Sequence, residues 1–148
     1  MMGDRIQFKL KGADDLSAKF KELSAGMRNK VALPAAKDAM EIVLIDAKDR
    51  AARVDDPTTP NYIPANIALI ERKKIGEEIG AVVVSVGVRK KKRGQAGGNT
   101  FYWWWVELGT EKTRARPFIR PALANNKEAV FKEFLSSAKF QLVKLGVN

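Results

Sequence analysis

The side chains able to do chemistry in this chain are acids and cations, because histidine and cysteine are both absent. Without cysteine there is no disulfide, thiol nucleophile or thiolate metal ligand. Without histidine the side chain best matched to proton transfer near neutral pH is missing. The common zinc sites and the Ser-His and Cys-His triads are thereby excluded. One acidic pattern stays open: Asp55-Asp56-Pro57 followed by Glu71-Arg72-Lys73. It imitates the acid plus Glu-x-Lys arrangement with which a hairpin nuclease holds magnesium against a phosphodiester. Its proline follows the aspartates instead of preceding them, and Glu-x-Lys arises by chance where 30% of residues are charged. Glu107 is the other notable acid, set among aromatics where a lone carboxylate bears a large desolvation cost. Its expected partners are Arg114, Arg116, Arg120 or the amides of the Gly109-Thr110 turn. Such a pairing fixes a turn; no second acid is spaced to work with it in catalysis. We therefore read no catalytic, cofactor-binding or metal site, and no enzyme.

The cations are more abundant. Lys+Arg number 27 against 17 Asp+Glu, a formal charge of +10, which favours polyanions or acidic protein surfaces as neighbours. Five of them form the run Arg89-Lys90-Lys91-Lys92-Arg93, and a glycine-rich tail follows to Asn99. Nothing in this stretch can bury apolar surface, so a mobile basic loop is expected at 89–100. In one reading the run grips phosphates while adjacent aromatics stack on bases, a nucleic-acid-binding module. In the other it is a solvated hairpin extension or an arm that contacts a neighbouring subunit. No reading helix or sheet motif accompanies the charge.

The elements that must position these groups read as a single α+β domain over residues 1–148. A small antiparallel sheet is expected to pack against two long helices, about 31–53 and 121–145, with a short N-terminal helix before them. Ile6, Phe8 and Leu10 alternate as a strand at 5–10. Asp14 or Asp15 can cap a helix carrying Leu16, Phe20 and Leu23, with Gly26 as its stop. The first long helix starts near Val31 or at Pro34, and its alanine-rich face lets another element pack close. Pro57, Pro60 and Pro64 forbid a helix over 54–64 and impose an extended connection. A single turn then leads to a strand near 70–76, a turn at Gly76–Gly80, and the clearest strand, Ala81–Arg89, with alternating valines. Val130, Phe134 and Ala138 form the stripe of the last helix, widened by Leu123, Phe131, Leu135, Leu142 and Leu145. No apolar run approaches the length of a membrane span, and Met1-Met2-Gly3-Asp4 is no signal peptide. A soluble protein made in a cytoplasm is expected.

All three tryptophans fall in Phe101-Tyr102-Trp103-Trp104-Trp105-Val106-Glu107-Leu108-Gly109-Thr110, ahead of a basic turn and Arg116-Pro117-Phe118-Ile119-Arg120-Pro121. Adjacent tryptophans cannot all face one core. On a helical turn Tyr102 and Trp105 or Val106 face inward, leaving Trp103 or Trp104 for a partner. Tyr102, Pro117, Phe118 and Pro121 are expected to anchor the fold. The two-part motif, an aromatic lead-in to Glu-Leu-Gly-Thr and then Pro-Phe-Ile-Arg-Pro-Ala, resembles the tail-completion or head–tail joining proteins of long-tailed double-stranded DNA phages. Leu108 and Ile119 replace that family's usual phenylalanine and leucine. The resemblance implies a structural virion protein of the neck or tail end, assembled in the bacterial host cytoplasm. It also implies a ring, of six copies, that completes the tail and meets the head–tail connector and the tail terminator or tube proteins. Packaged DNA would lie nearby. The interface residues are then Trp103, Trp104, Glu107, Gly109, Thr110, Arg114 and Arg116.

Overall fold

The computed structural model describes residues 13–56, 58–91 and 97–146, so the strand expected at 5–10 lies outside the described residues. Helix α1 (Ala13–Glu22) carries Asp14 and Asp15 in its first turn. There they sit inside the helix near the positive end of its dipole. Leu16 and Leu23 are buried with Phe20 packed beside them, the stripe read from the sequence. Gly26 does not end this helix. Ser24 instead accepts a 3.3 Å hydrogen bond from the Met27 amide and caps α2 (Ala25–Val54). The second helix therefore begins before the expected 31–34, and Pro34 lies in its interior. A serine oxygen that satisfies an orphan donor outweighs a glycine placed in the first turn.

Along α2, Ala35, Ala39, Val43, Ala47 and Ala51 are all buried, a four-residue repeat that keeps one helix face narrow. Against it lie α6 (Ile119–Asn125) and α7 (Lys127–Lys144). The single helix expected over 121–145 is thus two, broken at Asn126. The Asn126 side-chain amide donates to the Ala122 carbonyl and to the Asp46 carboxylate, each at 2.7 Å. That replaces the helical ladder with a local side-chain bond and ties the break to α2. Farther on, the Ser137 hydroxyl donates to Asp38 at 2.6 Å, so α7 runs antiparallel to α2. Ala138 and Leu142 are buried against Leu16, Leu23, Val31 and Ala35. Leu123, Phe131 and Leu145, expected in the inward stripe, are exposed, because the break rotates the apolar pattern out of one continuous face.

After α2 the described residues show no helix until α3 (Ile63–Asn66), which is followed by β1 (Ile67–Glu71), α4 (Lys73–Ile79) and β2 (Val84–Val88). The strands form the expected antiparallel hairpin, with Ile67 opposite Val88 and Glu71 opposite Val84. The first strand lies at 67–71 rather than 70–76, and the connection is a short helix rather than a turn. Gly80 ends α4 in the left-handed region at φ 67°, where glycine is unstrained. With Gly76 at its centre, Lys73–Ile79 has the composition of a turn, which is why its helix was not legible. Val86 and Val88 press onto the main core of Val43, Ala47, Ala51, Ile63, Ile67, Phe118 and Ala122.

Candidate functional site

The aromatic segment forms α5 (Trp103–Leu108). At 3.6 residues per turn, positions 101, 104, 105 and 108 share one face and positions 102, 103, 106 and 107 the other. The structure turns this helix against its composition. Phe101, Trp104, Trp105 and Leu108 face solvent, 61%, 55%, 56% and 55% exposed, while Glu107 is buried at 4%. Tyr102, Trp103 and Val106 pack on the main core. Trp104 is outward as the sequence suggested; Trp105 is outward too, and Trp103 is half-buried, stacked on Trp104 with ring centroids 4.1 Å apart. Phe101 meets the Trp105 ring edge-on at 5.6 Å, so the outer face is a preorganised aromatic plate.

Two inward polar groups hold that face out. The Glu107 carboxylate accepts from the amides of Phe118 at 2.7 Å, Ile119 at 3.0 Å and Arg120 at 3.0 Å. Arg120 adds its Nε to the same carboxylate at 3.2 Å, and its Nη2 reaches the Glu107 carbonyl at 2.6 Å. Arg120 was among the expected partners; the amides are those that open α6, not those of the Gly109-Thr110 turn. Glu107 thus caps a helix from outside it, satisfying donors that α6 leaves unpaired. Burial pushes the Glu107 pKa up, but the three amides and the guanidinium outweigh it, and the net shift is downward. At the other end, the Tyr102 hydroxyl lies 3.2 Å from Asp55 and 3.1 Å from the Asn61 carbonyl. Its pKa is pushed up to about 12, first by burial and then by the Asp55 carboxylate.

Beyond α5, Gly109 adopts φ 76° and a Cβ there would lie 2.7 Å from the Ala115 nitrogen, so the turn accepts only glycine. Thr110 closes it, its amide donating to the Thr113 carbonyl at 2.8 Å and its hydroxyl oxygen accepting from Lys112 and Thr113. Arg116 returns to α5 through a 2.8 Å bond from its amide to the Val106 carbonyl. Thr110, Arg114, Arg116 and Pro117 are exposed, Gly109 and Pro121 half-buried, and Phe118 buried. Phe118 joins the main core, whereas Pro117 lies on the surface.

The described residues on either side of 92–96 are bonded to the segment from Tyr62 to Leu69. The Arg89 amide donates to the Asn66 carbonyl at 2.8 Å, and its guanidinium to the Leu69 carbonyl at 3.2 Å. Gly97 accepts from the Tyr62 amide at 2.9 Å, and the buried Asn66 side chain binds Gly98 at 3.0 Å and Thr100 at 2.8 Å. Lys90 is exposed and Lys91 half-buried; Lys92 and Arg93 lie outside the described residues. Asn66 had no signal in the sequence, being one polar residue among apolar neighbours. Asp55 is one acid of the magnesium-holding pattern in the sequence. It instead accepts from the Ile63 amide at 2.6 Å and from Tyr102, while Glu71 closes the far end of the ladder opposite Val84. Among the described residues no group of three or more acids could hold a metal ion.

The α+β core thus buries the Glu107 carboxylate and shows Phe101, Trp104, Trp105 and Leu108 to solvent. The chain belongs to the HK97-gp10-like family, described as "Bacteriophage HK97-gp10, putative tail-component", whose model matches residues 14–109. That span includes α5 and Glu107 and stops short of the Pro117–Pro121 half of the motif. No curated protein and no solved structure matches. The family is one of structural tail components, not an enzyme class, which places the protein in the virion. No helix of the described residues is long and apolar enough to cross a membrane.

Proposed function

We propose that the protein works at the phage neck or tail end, where copies assemble into a ring that completes the tail and joins it to the head connector. The observation that carries this reading is the reversed polarity of α5. Four large apolar side chains at helical spacing face solvent while the acid of the same helix is buried. Exposed aromatics are common anchors of protein interfaces, and Arg114 and Arg116 are exposed in the turn that follows α5. Glu107, Gly109 and Thr110 serve this interface by fixing its shape, and Trp103 by backing the Trp104 ring. The nucleic-acid reading draws less from the geometry, since Arg89 is engaged with Leu69 and Trp103 with the core.

The test is the double variant Trp104→Ala/Trp105→Ala, introduced into the phage. Because both rings are exposed, the purified variant is expected to melt close to the parent protein. Heads and tails are expected to accumulate unjoined. Normal yields of joined particles from a stably folded variant would refute the reading.

A further inference from the structure

The hairpin leaves one edge of its sheet unpaired among the described residues. Its register sets Ile67 opposite Val88 and Glu71 opposite Val84. Just outside it, the Arg89 amide bonds the Asn66 carbonyl and the Arg72 amide bonds the Val83 carbonyl. Bonded and non-bonded positions alternate along an antiparallel pair, so Ser85 and Gly87 bond inward to β1. Val84, Val86 and Val88 therefore turn their amides and carbonyls to the far edge of β2, where no described residue bonds them. The outer edge of β1 is different, because the Arg89 guanidinium reaches the Leu69 carbonyl there at 3.2 Å. Along β2 the sequence is Val-Ser-Val-Gly-Val, without the lysine or proline that blunts an exposed edge.

The chain itself carries a segment of the right character. Residues 1–12 lie outside the described residues, which begin at Ala13 in α1. Within them Arg5–Leu10 alternates as a strand does, Ile6, Phe8 and Leu10 on one side and Arg5, Gln7 and Lys9 on the other. Helix α1 shares a cluster with Val31 and Ala35 of α2 through Leu16. On the same turns of α2, Leu33 lines a cleft whose opposite wall includes Val82 and Val83, just before β2. From Leu10 to Ala13 the chain spans about 11 Å, which matches the width of one helix. A tether that short holds the segment near β2 at an effective concentration of roughly millimolar, ahead of a second copy.

We propose that residues 5–10 of the same chain lie along β2 as a third strand and bond the outward groups of Val84, Val86 and Val88. Ile6, Phe8 and Leu10 then face the side on which Val86 and Val88 press onto the core, and Arg5, Gln7 and Lys9 face water. The segment acts as an edge guard, because a strand already paired cannot template pairing with another copy. This contact is independent of the ring.

Nuclear magnetic resonance on the isotope-labelled full chain tests this directly. Nuclear Overhauser contacts are expected between backbone protons of residues 5–10 and those of Val84–Val88, and their absence overturns the proposal whatever any variant does. The Val84, Val86 and Val88 amides are expected to exchange with solvent at least about tenfold more slowly in the full chain than in one lacking residues 2–11. Phe8→Lys, which keeps the length and charges the apolar side, is expected to release the same amides. Slow exchange at Ser85 and Gly87, bonded to β1, reports in each variant that the hairpin is still folded. Protection of the three valines that survives both changes overturns the proposal, since another part of the chain then covers the edge. Protection and contacts that fade on dilution also overturn it, because the partner is then a second copy.

Discussion

Replacing Glu107 by alanine tests how the aromatic plate is held. The carboxylate accepts from all three amides that open α6, and one of those bonds, to Phe118, is buried. Loss of a helix cap costs about 0.5–2 kcal/mol. A buried amide left without an acceptor adds about 1–3 kcal/mol. Arg120 is 59% exposed at its side chain, so its ion pair adds little, about 0–1 kcal/mol. These overlap, and Glu107→Ala is expected to destabilise by about 2–4 kcal/mol, or about 6–16 °C in melting temperature for a domain of this size. Arg120→Ala, which leaves the three amide bonds in place, is expected to lose far less. The pH dependence has a fixed sign. The folded-state pKa of Glu107 is depressed, so its contribution is present above the ordinary carboxylate range and is lost as pH falls through the lower folded value. The gap between the parent protein and Glu107→Gln should therefore narrow on acidification. Differential scanning calorimetry from pH 7 down to about pH 3 checks both expectations. If Glu107→Ala melts with the parent protein, or no lower than Arg120→Ala, the capping argument is wrong.

The remaining expectations concern the core side of the same segment. Phe118 is fully buried, and Phe118→Ala is expected to cost about 3–5 kcal/mol, measurable by urea unfolding; a loss below about 1 kcal/mol would mean that the site collapses freely. The Tyr102 pKa is raised to about 12, so its contribution is complete below about pH 10 and is lost as pH rises through the folded value. Tyr102→Phe is expected to flatten the alkaline unfolding of the parent protein in that window. An unchanged alkaline profile would refute the raised Tyr102 pKa.

Much of the fold could be read because it rests on simple periodicities. The alanine and valine repeat at 35, 39, 43, 47 and 51 and the alternating valines at 84, 86 and 88 each fix a face. Element ends were less legible, because Ser24, Asn126 and Gly80 act through single hydrogen bonds or one dihedral angle that no periodicity announces. At the site, the plate was present as a stripe at 101, 104, 105 and 108. Its outward direction was hidden, because an apolar stripe ordinarily marks the buried face. The destination of Glu107, eleven to thirteen residues along the chain at Phe118 to Arg120, together with the bond from Tyr102 to Asp55, decides which side is in. That is a tertiary fact. The role of Asn66 was out of reach for the same reason, since its partners, Gly97 to Thr100, lie more than thirty residues away.

In the ring proposed for the neck, α5 is buried between copies of this protein. Electron cryo-microscopy of the assembled particle tests it most directly. The expected density is a closed ring of this chain between connector and tail tube, with Trp104 and Trp105 covered at each subunit contact. A particle in which the protein lies elsewhere, or in which those two rings remain open to solvent, contradicts the account.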